Sequence, residues 1–193
     1  MAPRVEFYYD IVSPYSYLAA TQVETLAQEV ACEFVWRPIL LGGLFKLIEA
    51  SPPVTQEAKR RYIFEQDLPR MAHEFQVPLV LPNRFPINTI QALRAIVSFP
   101  EALWAEKSLA LFEAYWGEGL DITQVEVLNE VLGTDIRAAI AQEAIKARVS
   151  QFTQEAADKG VFGAPSFLCD DGQLFFGCDR LAQLKHYLTA QPT

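Results

Sequence analysis

Apolar and polar residues follow two kinds of pattern in the N-terminal part of the chain. Residues 5–9 and 32–36 are rich in β-branched and aromatic side chains and alternate between two faces, which predicts two strands. Between them the apolar residues recur at the spacing of one helical face. Two strands joined by a helix pair in parallel through a right-handed crossover, so the pattern predicts a βαβ unit. The apolar stripe of the predicted helix consists of Ala19, Val23, Leu26, Ala27 and Val30.

The middle of the chain, up to residue 159, has helical periodicity instead. A proline-rich stretch at residues 78–86 cannot belong to a continuous helix, because proline lacks the amide hydrogen and clashes with the preceding turn. Gly160 is placed to end the last helix. The predicted helices include residues 87–97, 101–116, 125–132, 136–147 and 150–159.

Strand patterns return in the last part of the chain. Residues 165–168 and 174–176 predict two strands, and Asp171-Gly172 between them is a strong signal for a two-residue hairpin turn. A final helix is predicted over residues 179–188. The complete order is therefore βαβ, a long helical insertion, then ββα.

Composition narrows the class of protein. With 193 residues, of which 51% are hydrophobic, the chain can bury a substantial core without disulfides or metals. No apolar run reaches the roughly 18 residues that a membrane-spanning helix needs, so we expect a soluble protein with no membrane partner. The formal net charge of −8 and the lack of a basic run argue against a nucleic-acid partner, because phosphate binding needs clustered Lys and Arg.

The cysteines and the N-terminus indicate in which cellular compartment the protein is expected. Cys32, Cys169 and Cys178 are too few and too irregularly spaced for a disulfide framework or a zinc site, so no metal site is predicted. A two-residue turn at Asp171-Gly172 would place Cys169 opposite Leu174, too far from Cys178 for a cross-strand disulfide. The first residues lead directly into a strand, without the apolar region of a signal peptide. These features predict a protein of the reducing cytoplasm.

Candidate chemistry begins where the first strand meets the first helix. The turn Ser13-Pro14-Tyr15-Ser16 lies at the carboxyl end of a parallel strand, where α/β proteins tend to place their sites. Ser13 has the position of the N-cap and Pro14 that of the first helical residue. Helix capping alone explains these two residues completely, so the motif by itself does not require catalysis.

This turn nevertheless resembles the active-site turn of kappa-class glutathione transferases and 2-hydroxychromene-2-carboxylate isomerases. Disulfide oxidoreductases of the same fold carry Cys-x-x-Cys there. The order of elements also resembles these families, so the resemblance covers essentially the whole chain. It implies an α/β, thioredoxin-like fold of the DsbA type with a large helical insertion. Residues 1–45 and 160–193 would form a discontinuous thioredoxin-like domain, and residues 46–159 the insertion domain.

Two segments near the C-terminus carry the resemblance further. Phe162-Gly163-Ala164-Pro165 resembles the family loop in which a cis proline opens a strand and the preceding residue presents its backbone to the cysteinyl part of glutathione. The resemblance gives these positions to Ala164 and Pro165. Phe176 to Leu181 resembles the segment that holds the γ-glutamyl end. It implies glutathione contacts from Cys178 and from Asp179, which would pair with the ammonium group.

A third segment, Gly43 to Lys46 followed by Pro52-Pro53, Lys59 and Tyr62, resembles the connection into the insertion. It implies that Lys59 meets the glycine carboxylate of glutathione, with Tyr62 also in the binding site. Two positions depart from the family pattern. Ala50 stands where we expect a glutathione-binding Asn, and Cys178 replaces the usual Ser or Asn, which weakens the expected side-chain hydrogen bond.

Each of these segments also has an explanation without a ligand. Gly163-Ala164-Pro165 is a common loop sequence in which a trans peptide is the ordinary expectation. Asp179 suits the N-terminus of the last helix. Lys59-Arg60-Arg61 is typical of a solvated helix face.

The resemblance implies that glutathione is the cofactor and Ser13 the catalytic residue. A free thiol has a pKa near 8.5, and lowering it by about two units requires roughly 2.7 kcal/mol of preferential stabilisation of the thiolate. A hydroxyl bonded to the sulfur and the positive end of the following helix both favour the anion. Because Ser13 and Ser16 replace the two cysteines, the sulfur must arrive with the ligand, and a disulfide oxidoreductase is the least favoured alternative.

The hypothesis for the reaction is a cis-trans isomerisation. The glutathione thiolate adds to the conjugated double bond of a small aromatic carboxylate, the new single bond rotates, and elimination regenerates glutathione. Aromatic residues such as Tyr15, Trp36 and Trp104 are compatible with such a pocket, although most of them are expected in the core. Two alternatives stay open: a glutathione transferase or peroxidase, and a non-catalytic thioredoxin-like binding module. A homodimer is expected only by analogy.

Overall fold

The computed structural model describes residues 3–190, which contain four strands and ten α-helices. The strands are β1 (Arg4–Tyr9), β2 (Glu33–Pro38), β3 (Ser166–Cys169) and β4 (Leu174–Phe176). The helices are α1 (Pro14–Val30), α2 (Leu41–Leu47), α3 (Glu57–Tyr62), α4 (Leu68–Phe75), α5 (Ile90–Ser98), α6 (Trp104–Phe112), α7 (Val125–Leu132), α8 (Arg137–Ala141), α9 (Glu143–Asp158) and α10 (Leu181–Ala190). Single π-helical turns, Ile63–Asp67 and Glu113–Gly117, follow α3 and α6.

The four strands form one mixed sheet in the order β2-β1-β3-β4. β1 is parallel to β2 and antiparallel to β3, and β4 pairs antiparallel with β3. A row of aromatic residues crosses the sheet, with Trp36, Phe7, Phe167 and Phe175 in neighbouring register positions. Such cross-strand aromatic pairs stabilise a sheet. The predicted thioredoxin-like order of elements, βαβ then ββα around a helical insertion, is confirmed.

Helices cover both faces of the sheet. On one face, Phe175 of β4 packs against Tyr187 of α10, and α10 contacts α1. On the other, α9 contacts β2, and the guanidinium of Arg37 lies 5.3 Å from the ring centre of Phe152. Glu6 accepts hydrogen bonds on this second face from Arg37 and, at 2.6 Å, from Lys159. The helical insertion is therefore packed directly onto the sheet.

Two predicted helix boundaries are wrong. The helix expected from residue 87 begins at Ile90, because Asn88 Oδ1 accepts from the Ile90 amide and the Thr89 hydroxyl is bonded to Asp10. We expected two helices, over residues 136–147 and 150–159. The break between the two helices lies instead at Gln142, whose backbone is extended with ψ of 133°. No glycine or proline marks this break. The buried stripe of α9, formed by Val149, Phe152 and Ala156, runs through the position where we expected the break.

The hairpin between β3 and β4 also differs from its prediction. Cys169 N donates to Gln173 O at 2.9 Å, so three residues rather than two form the turn. Gly172 takes a left-handed conformation with φ of +86°, which suits glycine because it has no Cβ. Cys169 thus lies opposite Gln173 and not Leu174. Cys32, Cys169 and Cys178 are all free thiols.

α2 runs from Leu41 to Leu47 and so crosses the predicted domain boundary at residue 46. The division into residues 1–45, 46–159 and 160–193 stays a proposal.

Among the helices of residues 3–190, none combines the length and the apolar character needed to span a bilayer.

Candidate active site

Ser13 caps α1 and lies at the centre of the candidate site. Its backbone is extended, with φ of −87° and ψ of 114°, and its Oγ accepts a hydrogen bond from Ser16 N at 3.1 Å. The Ser13 amide donates to Asp10 O at 3.0 Å, which closes the turn after β1. The Ser13 hydroxyl hydrogen is donated to Ala164 O at 3.0 Å. The oxygen is therefore fixed at the positive end of a 17-residue helix.

The loop before β3 brings the C-terminal segments to the same place. The Ala164-Pro165 peptide is cis. Pro165 O accepts from Gly177 N at 3.0 Å, which holds the residues after β4 beside this loop. Cys178 is buried at the start of a 3₁₀ turn that contacts α1, whereas Asp179 is exposed and 3.4 Å from Arg180. Four predicted positions thus lie around the N-terminus of α1.

The insertion reaches the site through a carboxylate. Asp67 Oδ2 accepts from the Tyr15 hydroxyl at 2.6 Å, and Asp67 Oδ1 accepts from the Tyr62 hydroxyl at 3.1 Å. Tyr15 is in the first turn of α1, so this pair of bonds places Tyr62 next to the Ser13 turn. Lys59 lies three residues earlier on the exposed helix α3, on the same side as Tyr62. Sequence reasoning missed Asp67, because nothing in its spacing distinguishes it from a surface carboxylate.

The cysteines of the chain are poor nucleophiles. Burial, followed by the charges of Asp179 and Asp67, raises the pKa of Cys178 to about 12. Burial and nearby carboxylates raise the pKa of Cys169 to about 12 and that of Cys32 to about 11. The thiolate is the reactive form, so these three thiols are unreactive at neutral pH. Any sulfur chemistry at Ser13 must use a sulfur from outside the chain.

A cavity of about 300 Å³ adjoins the Ser13 turn. Its walls come from the end of β1, the start of α2 and the segment before α5. Lys46 is exposed, and none of the ion pairs within residues 3–190 includes it. The lining combines apolar side chains with a few polar groups, as ligand pockets do. The lining side chains include Val12, Leu40, Ile87, Asp10, Lys46, Asn88 and Thr89.

Asp10 is the buried acid of this cavity. Its oxygens accept from Thr89 Oγ1 at 2.6 Å, Leu41 N at 2.8 Å and Val12 N at 3.1 Å. Burial raises the pKa of Asp10 to about 6, although these three hydrogen bonds act in the opposite direction. The sequence offers no sign of this arrangement, because its partners lie 31 and 79 residues away.

The aromatic residues that the sequence offered for a pocket differ in burial. Trp104 is buried in the core, as is Trp116, whereas Trp36 and Tyr15 are partly buried. Trp116 Nε1 donates to Ile11 O at 2.8 Å, which supports the strand end that leads into the Ser13 turn. Within residues 3–190 there is no group of three or more His, Cys, Asp or Glu side chains that could hold a metal ion.

Comparison with known proteins assigns the family. The model of the DSBA-like thioredoxin domain matches residues 4–189. The chain belongs to the DSBA-like thioredoxin domain family. Within the family it is similar to 2-hydroxychromene-2-carboxylate isomerase of Sphingobium xenophagum, with 29% identity covering 97% of this chain and 99% of that protein. The 2-hydroxychromene-2-carboxylate isomerase of Pseudomonas putida is 30% identical, and the match covers 94% of this chain and 92% of that protein. Glutathione S-transferase kappa 1 of Rattus norvegicus is 29% identical, and the match covers 97% of this chain and 92% of that protein.

Solved structures of DSBA-like proteins agree with this assignment. The structure of a 2-hydroxychromene-2-carboxylate isomerase superposes with a TM-score of 0.83 at 28% identity, covering 96% of this chain and 94% of that one. The cytosolic disulfide reductase DsbM from Pseudomonas aeruginosa, solved with GSH, has a TM-score of 0.66 at 16% identity and shares the fold. The predicted fold class and the resemblance to the isomerase and kappa-class group are confirmed.

Proposed function

We propose that this DSBA-like protein is a glutathione-dependent isomerase of the 2-hydroxychromene-2-carboxylate type. One observation carries the proposal: the Ser13 hydroxyl is fixed at the N-terminus of α1, and the residue before it, Val12, lines a cavity that also contains Lys46. The Ser13 hydroxyl can stabilise an incoming thiolate, and Lys46 can receive an anionic substrate. The relatives named as isomerases support this choice.

Activation of the thiol requires only a rotation of the Ser13 hydroxyl. Its oxygen is already held by Ser16 N, while its hydrogen is donated to Ala164 O. When the cysteinyl amide of glutathione takes Ala164 as its acceptor, the Ser13 hydrogen can turn to the sulfur. Together with the helix end, this bond supplies the roughly 2.7 kcal/mol that a two-unit lowering of the thiol pKa needs.

The remaining glutathione contacts follow the predicted positions. Asp179, which is exposed beside the turn, would pair with the ammonium group of the γ-glutamyl end. Lys59 would meet the glycine carboxylate from the exposed face of α3, next to Tyr62. Cys178 offers only a buried thiol, a weak donor, so we expect its contribution to be small.

The substrate would place its aromatic ring in the cavity and its carboxylate against Lys46 and Asn88. The glutathione thiolate forms a carbon–sulfur bond at the conjugated double bond, and the displaced electron pair moves to the conjugated carbonyl oxygen. Rotation follows about the resulting single bond. The electron pair then returns, the carbon–sulfur bond breaks, and glutathione leaves unchanged.

Isothermal titration with reduced glutathione tests the proposal first. We expect binding with proton release in the wild-type protein, and loss of the proton release in Ser13→Ala. Ser16→Ala is the matched control, because the buried Ser16 hydroxyl has no hydrogen-bond partner in residues 3–190. Product analysis with a chromene carboxylate then checks the reaction. Turnover that does not depend on glutathione would refute the proposal.

A kappa-class glutathione transferase or peroxidase is the second candidate, supported by the equal similarity to the rat kappa enzyme. It would use the same thiolate but consume it. A stable thioether or oxidised glutathione among the products would favour this alternative, whereas an isomerase returns glutathione. Absence of glutathione binding would favour a non-catalytic binding module. A cytoplasmic location and a homodimer are part of the same proposal.

A further inference from the structure

Asp10 joins three segments of the chain that are distant in sequence. Asp10 is 1% exposed, and its carboxylate accepts three hydrogen bonds. Oδ1 accepts from Val12 N at 3.1 Å and from Thr89 Oγ1 at 2.6 Å, and Oδ2 accepts from Leu41 N at 2.8 Å. The donors belong to the turn after β1, the first residue of α2 and the N-cap of α5.

Each of these donors is close to a group of the proposed site. Val12 precedes Ser13, whose own amide donates to the Asp10 carbonyl at 3.0 Å. Leu41 begins the helix that carries Lys46, and Thr89 follows Asn88. The Asp10 carboxylate therefore connects the turn that carries the Ser13 hydroxyl to the segments that carry Lys46 and Asn88.

We propose that Asp10 is a positioning residue, which holds the Ser13 turn, the Lys46 helix and the Asn88 segment in one arrangement. Its importance for a reaction rests on the function proposed above. The arrangement itself requires no ligand and can be tested without one.

The charge of Asp10 matters for this role. Val12 and Leu41 donate through backbone amides, which cannot reverse, so only the Thr89 hydroxyl can turn if an oxygen becomes protonated. Burial raises the pKa of the carboxyl to about 6. The titratable groups around it are Lys46, which lines the same cavity, and the phenols of Tyr9 and Tyr115, whose pKa values burial raises so that they stay neutral. Because burial raises the pKa of Asp10, openings that let water reach the carboxylate should become more frequent as the pH rises through about 6.

Amide hydrogen exchange without ligand provides the first test. After correction for intrinsic rates, we expect the protection of Val12 and Leu41 to fall at least about tenfold as the pH is raised through the pKa of Asp10. Thr89→Val removes a hydrogen bond that favours the charged form, so the midpoint should rise by about one unit. Thr89→Ser keeps the donor and should restore the wild-type midpoint. An unchanged midpoint in Thr89→Val would overturn the proposal.

The pH dependence of kcat/KM provides the second test. Its acid limb contains one step from the glutathione thiol and one from Asp10. Thr89→Val should move only the Asp10 step, and Thr89→Ser should return that step to its wild-type position, whereas a merely structural role would lower activity without moving either step. Asp10→Asn should lose protection at Val12 and Leu41 at every pH. If Asp10→Asn fails to fold, the comparison of Thr89→Val with Thr89→Ser still tests the proposal. A shifted exchange midpoint without any glutathione-dependent turnover would refute the proposed function and leave the positioning role intact.

Discussion

The two halves of the candidate site are built on different principles. On the sulfur side, Ser13 sits between a backbone amide of α1 and the backbone carbonyl of Ala164. On the cavity side, a buried carboxylate holds the walls together. The first half consists of neutral groups fixed by local geometry. The second depends on a charge whose burial is costly. A group of the protein therefore titrates on the cavity side, whereas on the sulfur side the titrating group is the thiol of the ligand.

Titration of the buried charge should change the stability of the protein more than any other perturbation considered. The Asp10 carboxyl titrates near pH 6 in the folded chain and near its ordinary value of 3.8 when unfolded. Between these values the folded chain binds more protons, so stability falls as the pH rises through this window, by up to about 3 kcal/mol. Denaturant unfolding of the wild-type protein and Asp10→Asn from about pH 4 to pH 7 measures this difference.

The same pH dependence in both proteins would contradict a raised pKa at Asp10. The prediction also links two quantities. The free energy of local opening around Asp10 and the global free energy of unfolding should both decrease as the pH rises, because the carboxylate that organises the cavity is also the group that folding must desolvate.

Removing the Ser13 hydroxyl should have the next largest effect. Ser13→Ala loses the bond to the sulfur but keeps the helix end, so it should lower kcat/KM with glutathione by more than about tenfold and less than about 100-fold at neutral pH, because the hydroxyl and the helix end together supply roughly 2.7 kcal/mol of thiolate stabilisation. Loss of the α1 cap should also cost about 1 kcal/mol of stability. Ser16→Ala should retain activity, and equal losses in the two variants would show that the effect is structural.

Removing the cavity cation should have a smaller effect, confined to one ligand. Lys46→Met should raise the KM for the aromatic carboxylate about tenfold, because an ionic hydrogen bond to the carboxylate is lost. The affinity for glutathione, measured by titration, should not change. A parallel weakening of glutathione binding would show that the two halves are not separate.

Substitution of Lys59 should change ligand binding least. Lys59→Met should weaken glutathione binding by about threefold, because an exposed ion pair contributes little free energy. The KM for the aromatic substrate at saturating glutathione should stay constant. This variant is the counterpart of Lys46→Met, and a larger effect on the aromatic substrate than on glutathione would reverse our assignment of the two lysines.

The sequence predicted the sulfur half of the site better than the cavity half. The Ser13 cap and the Pro14 start of α1 are local features, so they are visible in the residues themselves. The cap, the Ala164-Pro165 loop and the Cys178 turn were found where the resemblance placed them. The glutathione contacts of these residues stay predictions.

The cavity half depends on long-range contacts that leave no pattern in the chain. Asp10 meets Leu41 and Thr89 only after folding, and Asp67 bridges Tyr15 and Tyr62 in the same way. Periodicity found α7 with its bounds, Val125–Leu132, but could not locate the break between α8 and α9, where no glycine or proline interrupts the helical pattern.

The three buried cysteines give the protein an unusual position in cellular redox chemistry. Their thiols are protonated at neutral pH and shielded from solvent, so mild oxidants and thiol-alkylating agents have no ready cysteine target on the chain. With glutathione as the cofactor, thiol oxidation would affect this protein through the supply of reduced glutathione. The enzyme would then slow without being damaged, and would recover as soon as reduced glutathione returns.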